Sequence, residues 1–219
     1  MLAAGIIAEL TDKLSGWASN WWFLAVIFAI AFLDSIIPIV PSETSVIIGG
    51  VAVGAGDARY ALWMVIAVAA TGAFLGDNTA YAIGRQWAPA FERRAERKPK
   101  FAAKLHWASA QIEERGGLLL ITARFIPGGR TVLTLSSGIT RQPRQWFVKW
   151  IAVAVVIWAS YAALLGRIGG ATFEDDHTKA FLFAFGLAIS ATVIIEVVRH
   201  LLKKRHHNEA PPTEPPSPV

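Results

Sequence analysis

Residues 118–138 read LLLITARFIPGGRTVLTLSSG, an apolar segment interrupted at its centre by Arg124, the sequence Pro127-Gly128-Gly129, and Arg130. A transmembrane helix needs about 20 mostly apolar residues, and this segment has that length. Proline, however, removes a backbone donor and glycine weakens a helix. Lipid requires every backbone polar group to be bonded, so broken segments persist at membrane depth only inside protein or beside a water-filled cavity. The stretch therefore predicts a re-entrant helical hairpin.

A second apolar segment, residues 35–53, is broken in the same way. Its interruptions are proline, glycine and acidic residues: Pro38, Pro41, Glu43, Gly49 and Gly50. The run that starts at Pro41 also weakly echoes the run that starts at Pro127. Two short, Gly/Pro-broken segments in corresponding halves of a chain are typical of a transporter built as an inverted repeat. We therefore predict a second re-entrant hairpin at residues 35–53.

The composition is that of a membrane protein. Of the 219 residues, 54% are hydrophobic and 17% are charged, whereas soluble proteins average about 25% charged residues. Four further apolar runs cover residues 17–33, 60–84, 146–166 and 179–198. The sequence thus predicts an all-α integral membrane protein with about four transmembrane spans and two opposed re-entrant hairpins. The absence of cysteine excludes disulfides, thiolate nucleophiles and cysteine metal sites.

The basic residues predict the orientation of the chain. Lys and Arg are concentrated in three regions: residues 85–115, 141–149 and 199–205. Such an excess is typical of cytoplasmic loops, whereas the loops 54–59 and 167–179 hold few basic residues. We therefore expect a multi-pass protein with both termini in the cytoplasm and with hairpins that enter from opposite sides.

Residues 1–206 are predicted to form a single membrane domain. Within it, residues 90–115 combine basic residues with an apolar helical stripe, which is typical of an amphipathic helix on the membrane surface. The tail, residues 207–219, is polar and rich in proline. Because it has no means of building a core, we expect it to be disordered in the cytoplasm.

Five ionisable residues lie inside apolar runs: Asp34, Glu43, Asp77, Arg124 and Arg130. Each costs at least about 2.5 to 3.5 kcal/mol at a bilayer centre, so such residues usually face the interior of the bundle and mark substrate or ion pathways. The alternative is structural, because carboxylates can pair with arginines to hold two hairpins together, and Asp34 can simply lie at the interface.

The two groups of charges suit different chemistry. Arg124 and Arg130 flank Gly128 and Gly129, where backbone N–H groups can approach an anion and guanidinium forks can bind phosphate oxygens in pairs. This favours a phosphate-binding site. Buried carboxylates can bind and release protons, so Asp34, Glu43 and Asp77 are candidates for proton coupling. We predict no catalytic residue, metal site or cofactor.

Four sequence elements follow one another in a characteristic order. They are Phe32-Leu33-Asp34 with Pro38, Pro41-Ser42-Glu43 and Gly49-Gly50; Gly76-Asp77 with Tyr81 and Gly84; the run from Arg124 to Arg130 with Gly138; and Phe147 with Trp158. Together they resemble the signature of the DedA family, also called the SNARE-associated or VTT-domain family. The resemblance covers residues 32–158, more than half of the chain.

The resemblance implies a bacterial inner-membrane flippase for lipid phosphates, notably undecaprenyl phosphate, that depends on the proton gradient. It assigns the family's acidic roles to Asp34 and Glu43 and its basic roles to Arg124 and Arg130. Three positions depart from the family pattern. Asp34 stands where glutamate is commoner, and Ile151 and Ala154 replace a polar residue and a glycine, which leaves the substrate open.

Other functions use the same charges. A scramblase or another anionic-lipid carrier would bind a similar head group, and a proton or small-ion carrier would not move lipid. An intramembrane lipid phosphatase would further need a nucleophile and an acid, usually histidines, and the five histidines lie in predicted loops, segment ends or the tail. We therefore expect a transporter and not an enzyme. Its partners are an anionic lipid phosphate and membrane lipids, with no nucleic acid, and the oligomeric state stays open.

Overall fold

The computed structural model describes residues 16–37, 42–125, 129–173, 179–180, 182–183 and 186. The regular structure of these residues is helical throughout, which confirms the all-α class for the described part of the chain. The helices are α1 (Trp22–Ile36), α2 (Ser42–Gly54), α3 (Leu62–Arg97), α4 (Pro99–Arg115), α5 (Gly117–Thr122), α6 (Gly129–Ile139) and α7 (Arg144–Thr172), with a 3₁₀ turn at Ala123–Phe125. Most of the predicted span 179–198 and the whole tail 207–219 lie outside the described residues.

Two of the described helices are long and apolar enough to cross a membrane. They are α3, with 36 residues, and α7, with 29 residues, which at about 1.5 Å per residue exceed the roughly 30 Å of a hydrocarbon core. Helix α3 covers residues 62–84 of the predicted span 60–84, and α7 contains the predicted span 146–166. The predicted span 17–33 instead contains most of α1, which has 15 residues and falls short of the roughly 20 residues that a full crossing requires.

Both broken segments are divided into two helices. Ile37 leaves the helical conformation, with φ −126° and ψ 98°, because a residue before proline is disfavoured in the α region. Helix α2 then runs unbroken through Gly49 and Gly50, so the helices on either side of the first break are α1 and α2. In the second segment, α5 and the 3₁₀ turn precede residues 126–128, and α6 begins at Gly129.

Glycines allow the second helix of each broken segment to touch a long helix directly. A Cβ added at Gly50 of α2 would lie 2.4 Å from the carbonyl oxygen of Ala163 in α7. A Cβ at Gly138 of α6 would lie 2.1 Å from the carbonyl oxygen of Tyr81 in α3. Because no side chain separates these backbones, α2 is seated on α7 and α6 is seated on α3.

The stretch 90–115 comprises the end of one helix and the whole of the next, since Lys98 is extended and separates α3 from α4. Residues 90–97 continue the long helix α3, and α4 covers the remainder. Helix α4 ends where Gly116 adopts a positive φ of 58° and its N–H bonds to the carbonyl of Ile112. A glycine is favoured at this position because it tolerates the left-handed region of φ.

Candidate functional site

Four charged side chains are buried together between the broken segments. Arg124 Nη1 donates to Asp77 Oδ2 at 2.5 Å, and Arg130 Nη2 donates to Asp34 Oδ2 at 2.9 Å. Arg130 Nε also lies 3.8 Å from Asp77 Oδ1. The side chains are between 0% and 10% exposed. These four residues form a row of alternating charge in the order Asp34, Arg130, Asp77 and Arg124. We call them the buried tetrad, and their formal charges cancel.

Helix ends place Asp34 and Arg130 beside each other. Asp34 lies in the last turn of α1, where backbone carbonyls lack partners within the helix, and its carbonyl accepts a second bond from Arg130 Nη2 at 2.6 Å. A cation is stabilised near the C-terminus of a helix. From the other side of the break, Ser42 Oγ at the start of α2 donates to Asp34 Oδ2 at 2.5 Å. The Asp34 carboxylate therefore connects α1, α2 and α6.

Asp77 is placed by the packing of α3. Its neighbour Gly76 allows α1 to approach, because a Cβ there would lie 2.5 Å from the carbonyl oxygen of Phe32. Two turns later, Gly84 allows the approach of α6, since a Cβ there would lie 2.3 Å from the carbonyl oxygen of Leu135. The Asp77 side chain is fully buried between these contacts and reaches both arginines of the tetrad.

Glu43 lies apart from the tetrad and is reached through Trp158. The indole Nε1 of Trp158 donates to Glu43 Oε1 at 3.1 Å, and the ring of Trp158 lies 5.1 Å from Cζ of Arg124. No ion pair within the described part of the chain joins Glu43 to either arginine. Of the three predicted carboxylates, the structure thus brings Asp34 and Asp77 into contact with the arginines, while Glu43 is linked to Arg124 through an aromatic ring.

The tetrad has hydrogen-bonding capacity that the described protein atoms do not use. Within the tetrad, the buried atoms that lack a hydrogen-bond partner are Arg124 Nε and Nη2 and Asp77 Oδ1. The nearby Thr131 Oγ1 is also buried and lacks one. Leaving a buried polar group unsatisfied costs about 1 to 3 kcal/mol, and more for a charged group. Because Nε and Nη2 lie on one edge of the guanidinium, they form the fork that binds carboxylate or phosphate oxygens in pairs. The arrangement is chemically suited to an oxyanion.

The two predicted glycines fall at the second break. Gly129 is the first residue of α6, so it lies next to Arg130, and Gly128 lies outside the described residues. Groups of three or more His, Asp or Glu side chains that could hold a metal ion were not found in the described part of the chain. Two surface cavities, of about 470 and 290 Å³, lie along the end of α3 and against α4, and neither is lined by a residue of the tetrad.

Sequence reasoning gave no role to three polar residues of this region: Ser42, Thr131 and Trp158. Ser42 belongs to the same motif as Glu43, and its position at the start of a helix after a break was a usable signal. Thr131 follows Arg130 directly. Trp158 was assigned to a transmembrane span, because a tryptophan inside an apolar run ordinarily reads as packing.

Other motif residues build the frame around the charges. Tyr81 stacks on Phe147, with ring centroids 4.4 Å apart, and its hydroxyl donates to the carbonyl of Gln142 at 2.6 Å. These contacts tie α3 to α7 and to the connection that precedes it. The glycines Gly84 and Gly138 hold α3 and α6 in direct contact.

The sequence model of the VTT domain matches residues 40–168, more than half of the chain. The chain belongs to the VTT-domain (DedA) family. The matched region contains Glu43, Asp77, Arg124 and Arg130, and Asp34 lies just before it. The resemblance noted in the sequence is therefore confirmed at the level of the family.

Three relatives of this VTT-domain protein come from bacteria. An uncharacterized membrane protein of Synechocystis is 32% identical over 89% of this chain and 90% of its own length. Protein DedA of Escherichia coli is 21% identical over 82% of this chain and 84% of its own length. Undecaprenyl phosphate transporter A of Bacillus subtilis is 24% identical over 91% of this chain and 97% of its own length. No solved structure matches the chain significantly.

Proposed function

We propose that this VTT-domain protein is a flippase that carries an anionic lipid phosphate across the bacterial inner membrane. The observation that carries the proposal is the unpartnered Nε and Nη2 edge of Arg124 inside the buried, formally neutral tetrad. A guanidinium edge at this depth suits a phosphate head group whose tails stay in the surrounding lipid.

The architecture that we propose is an inverted repeat of two opposed re-entrant hairpins among about four spans. Its support is the exchange of contacts between halves: α2 of the first half is seated on α7, and α6 of the second half is seated on α3. Each of these contacts is made by glycines at a corresponding place in the two halves. Arg130 and Asp34, which bond directly, lie close in sequence to the second and the first break respectively.

Transport in this scheme adds a partner to Arg124. A lipid phosphate that binds the free Nε and Nη2 edge brings negative charge close to Asp77, and leaving a buried charge unbalanced costs about 3 to 5 kcal/mol. A proton that enters with the phosphate neutralises a carboxylate and restores the balance of charge. We therefore infer coupling to the proton gradient through Asp34, Glu43 and Asp77.

Undecaprenyl phosphate is the proposed cargo, because the Bacillus relative that aligns along 91% of this chain carries that name. Another phospholipid or a small ion would use the same charges, and these remain alternative cargoes. A phosphatase is disfavoured, since His106 of α4 lines the smaller surface cavity rather than the tetrad. The basic residues favour an inner-membrane protein with both termini in the cytoplasm.

The test is reconstitution of the full chain into vesicles that contain a fluorescent undecaprenyl phosphate. Lipid translocation, release of inorganic phosphate and proton flux are measured on the same preparation. We expect translocation in the wild type, abolished by Arg124→Ala and by Glu43→Gln, with no phosphate release. Arg144→Ala is the control, because Arg144 is an exposed arginine at the start of α7. Equal translocation by the wild type and the Arg124 variant would contradict the proposal.

A further inference from the structure

Trp158 contacts both hairpin segments at once. Its indole N–H donates to Glu43 on α2, and its ring covers Arg124, which lies in the 3₁₀ turn after α5. The residue is 1% exposed, whereas Trp63 and Trp87 are 65% and 52% exposed. Exposed tryptophans of this kind are typical of an interfacial belt. Trp158 instead lies in the middle of α7, between an acid and a base.

The chemistry of these contacts differs from ordinary core packing. A buried indole N–H needs an acceptor, and here the acceptor is a carboxylate, which gives a bond about twice as strong as one between neutral groups when Glu43 is ionised. The negative face of the ring attracts the guanidinium. An aromatic residue that only filled space would require neither partner.

The ring also fixes how Arg124 is presented. Asp77 holds Nη1, and the indole lies against the guanidinium group, so the guanidinium is held at one nitrogen and against the ring. Nε and Nη2 remain without a protein partner. Trp158 therefore helps to hold the fork that the proposed cargo would bind.

We propose that Trp158 is a positioning residue that couples phosphate binding at Arg124 to the charge state of Glu43. This inference rests on the proposed function. When Glu43 gains a proton, the bond from the indole weakens, the ring is free to shift, and Arg124 loses its fixed orientation. Two other groups act electrostatically in this network: Tyr161 of α7 interacts with Glu43, and Arg130 of α6 interacts with Arg124. The bridge is a route between hairpins that is separate from the direct ion pairs of the tetrad.

The bridge is tested by ¹⁹F NMR of the full chain labelled with 5-fluorotryptophan in dodecyl maltoside micelles. The chain has nine tryptophans, and Trp158→Phe identifies the Trp158 signal by its loss. We expect this signal to shift in Arg124→Leu, in Glu43→Gln, and on addition of dodecyl phosphate to the wild type. The signal of Trp87, identified by Trp87→Phe, is the control and stays unchanged in the two variants.

The outcomes separate the bridge from the proposed function. If the Trp158 signal does not shift in either Arg124→Leu or Glu43→Gln, the bridge is overturned, regardless of the response to dodecyl phosphate. A signal that responds to both substitutions but not to dodecyl phosphate supports the bridge, and it contradicts the phosphate site on which the proposed function depends.

Transport kinetics supply a second readout. Trp158→Phe keeps a ring for Arg124 but removes the N–H, so we expect the apparent KM for the lipid to change little. The maximal rate should fall about tenfold, as for loss of one hydrogen bond to a charged group. A Phe variant with wild-type kinetics would overturn the coupling.

Discussion

Neutralising the ion pair between Asp77 and Arg124 separates a structural role for the tetrad from a role in transport. Asp77→Asn leaves two buried arginines facing Asp34 alone, and Arg124→Gln leaves Asp77 with only the 3.8 Å approach of Arg130 Nε. Each single change thus buries an unbalanced charge. The double variant removes one positive and one negative charge, so the remaining pair of Asp34 and Arg130 stays balanced.

The magnitude follows from the burial of the pair. Both side chains are at most 1% exposed and their atoms are 2.5 Å apart, so removing one partner should cost about 3 to 5 kcal/mol. At about 2 to 4 °C per kcal/mol for a chain of this size, each single variant should melt about 6 to 20 °C lower. Because replacing both members of a buried pair is often nearly neutral, the double variant should recover most of that loss.

The assay is thermal unfolding of purified protein in detergent, paired with lipid translocation in vesicles. A matched control is the pair of Arg141 and Glu92, which bonds at 2.7 Å but is about half exposed. Its neutralisation should cost about 1 kcal/mol or less. We expect the double variant of Asp77 and Arg124 to fold and to lack transport.

Two results would refute this reasoning. If the losses of stability measured for the two single variants add up in the double variant, the buried contact carries no pairing energy. If the double variant folds and transports lipid at the wild-type rate, Arg124 and Asp77 serve only to hold the helices together.

Three further predictions follow from other contacts. Arg130→Lys should lower translocation about tenfold at unchanged protein level, because one ammonium cannot reach Asp34 and Asp77 from two separate nitrogens, as Arg130 does through Nη2 and Nε; a wild-type rate would contradict this. Gly138→Ala should destabilise the fold by about 1 to 3 kcal/mol in thermal unfolding, since its Cβ would lie 2.1 Å from a carbonyl of α3, whereas Gly16→Ala meets nothing within 4 Å and should be neutral. Burial raises the pKa of Tyr60 to about 12 from about 10 in an unfolded chain, so its contribution to stability is complete below pH 10 and is lost as the pH rises towards 12. The stability gap between wild type and Tyr60→Phe should therefore narrow over that pH range, and a constant gap would exclude this cause.

Local rules explain which parts of the fold were predictable. Proline and glycine act on their own backbone and that of their neighbours, so the positions of the two breaks followed from the sequence. Hydropathy located α3 and α7, but it could not place the end of α3, because the helix continues as a charged surface helix from Arg85 to Arg97 after its apolar part ends. The length of α1 was overestimated, since its apolar run continues across Asn20, where the chain makes a turn.

Contacts between distant residues were not predictable in the same way. The sequence identified buried charges by their cost in lipid, but which acid meets which base depends on how helices cross. Asp77 and Arg124 are 47 positions apart and meet directly, whereas Glu43 meets Trp158 across 115 positions. Only the assembled helices show that an indole connects Glu43 to Arg124.

The glycines and the charges of the family motifs depend on one another. Gly76 and Gly84 bring α1 and α6 against α3 at backbone distance, and this close approach places Asp77 within reach of Arg124 and Arg130. Larger residues would separate the helices by more than the reach of a short aspartate side chain, so the acid would be buried without a partner. Glutamate at residue 77 would overfill the same space, because its extra methylene adds volume to a closely packed site. Asp77→Glu should therefore destabilise the fold although it preserves the charge, and a fully stable variant would show that the helix contacts are looser than the glycines imply.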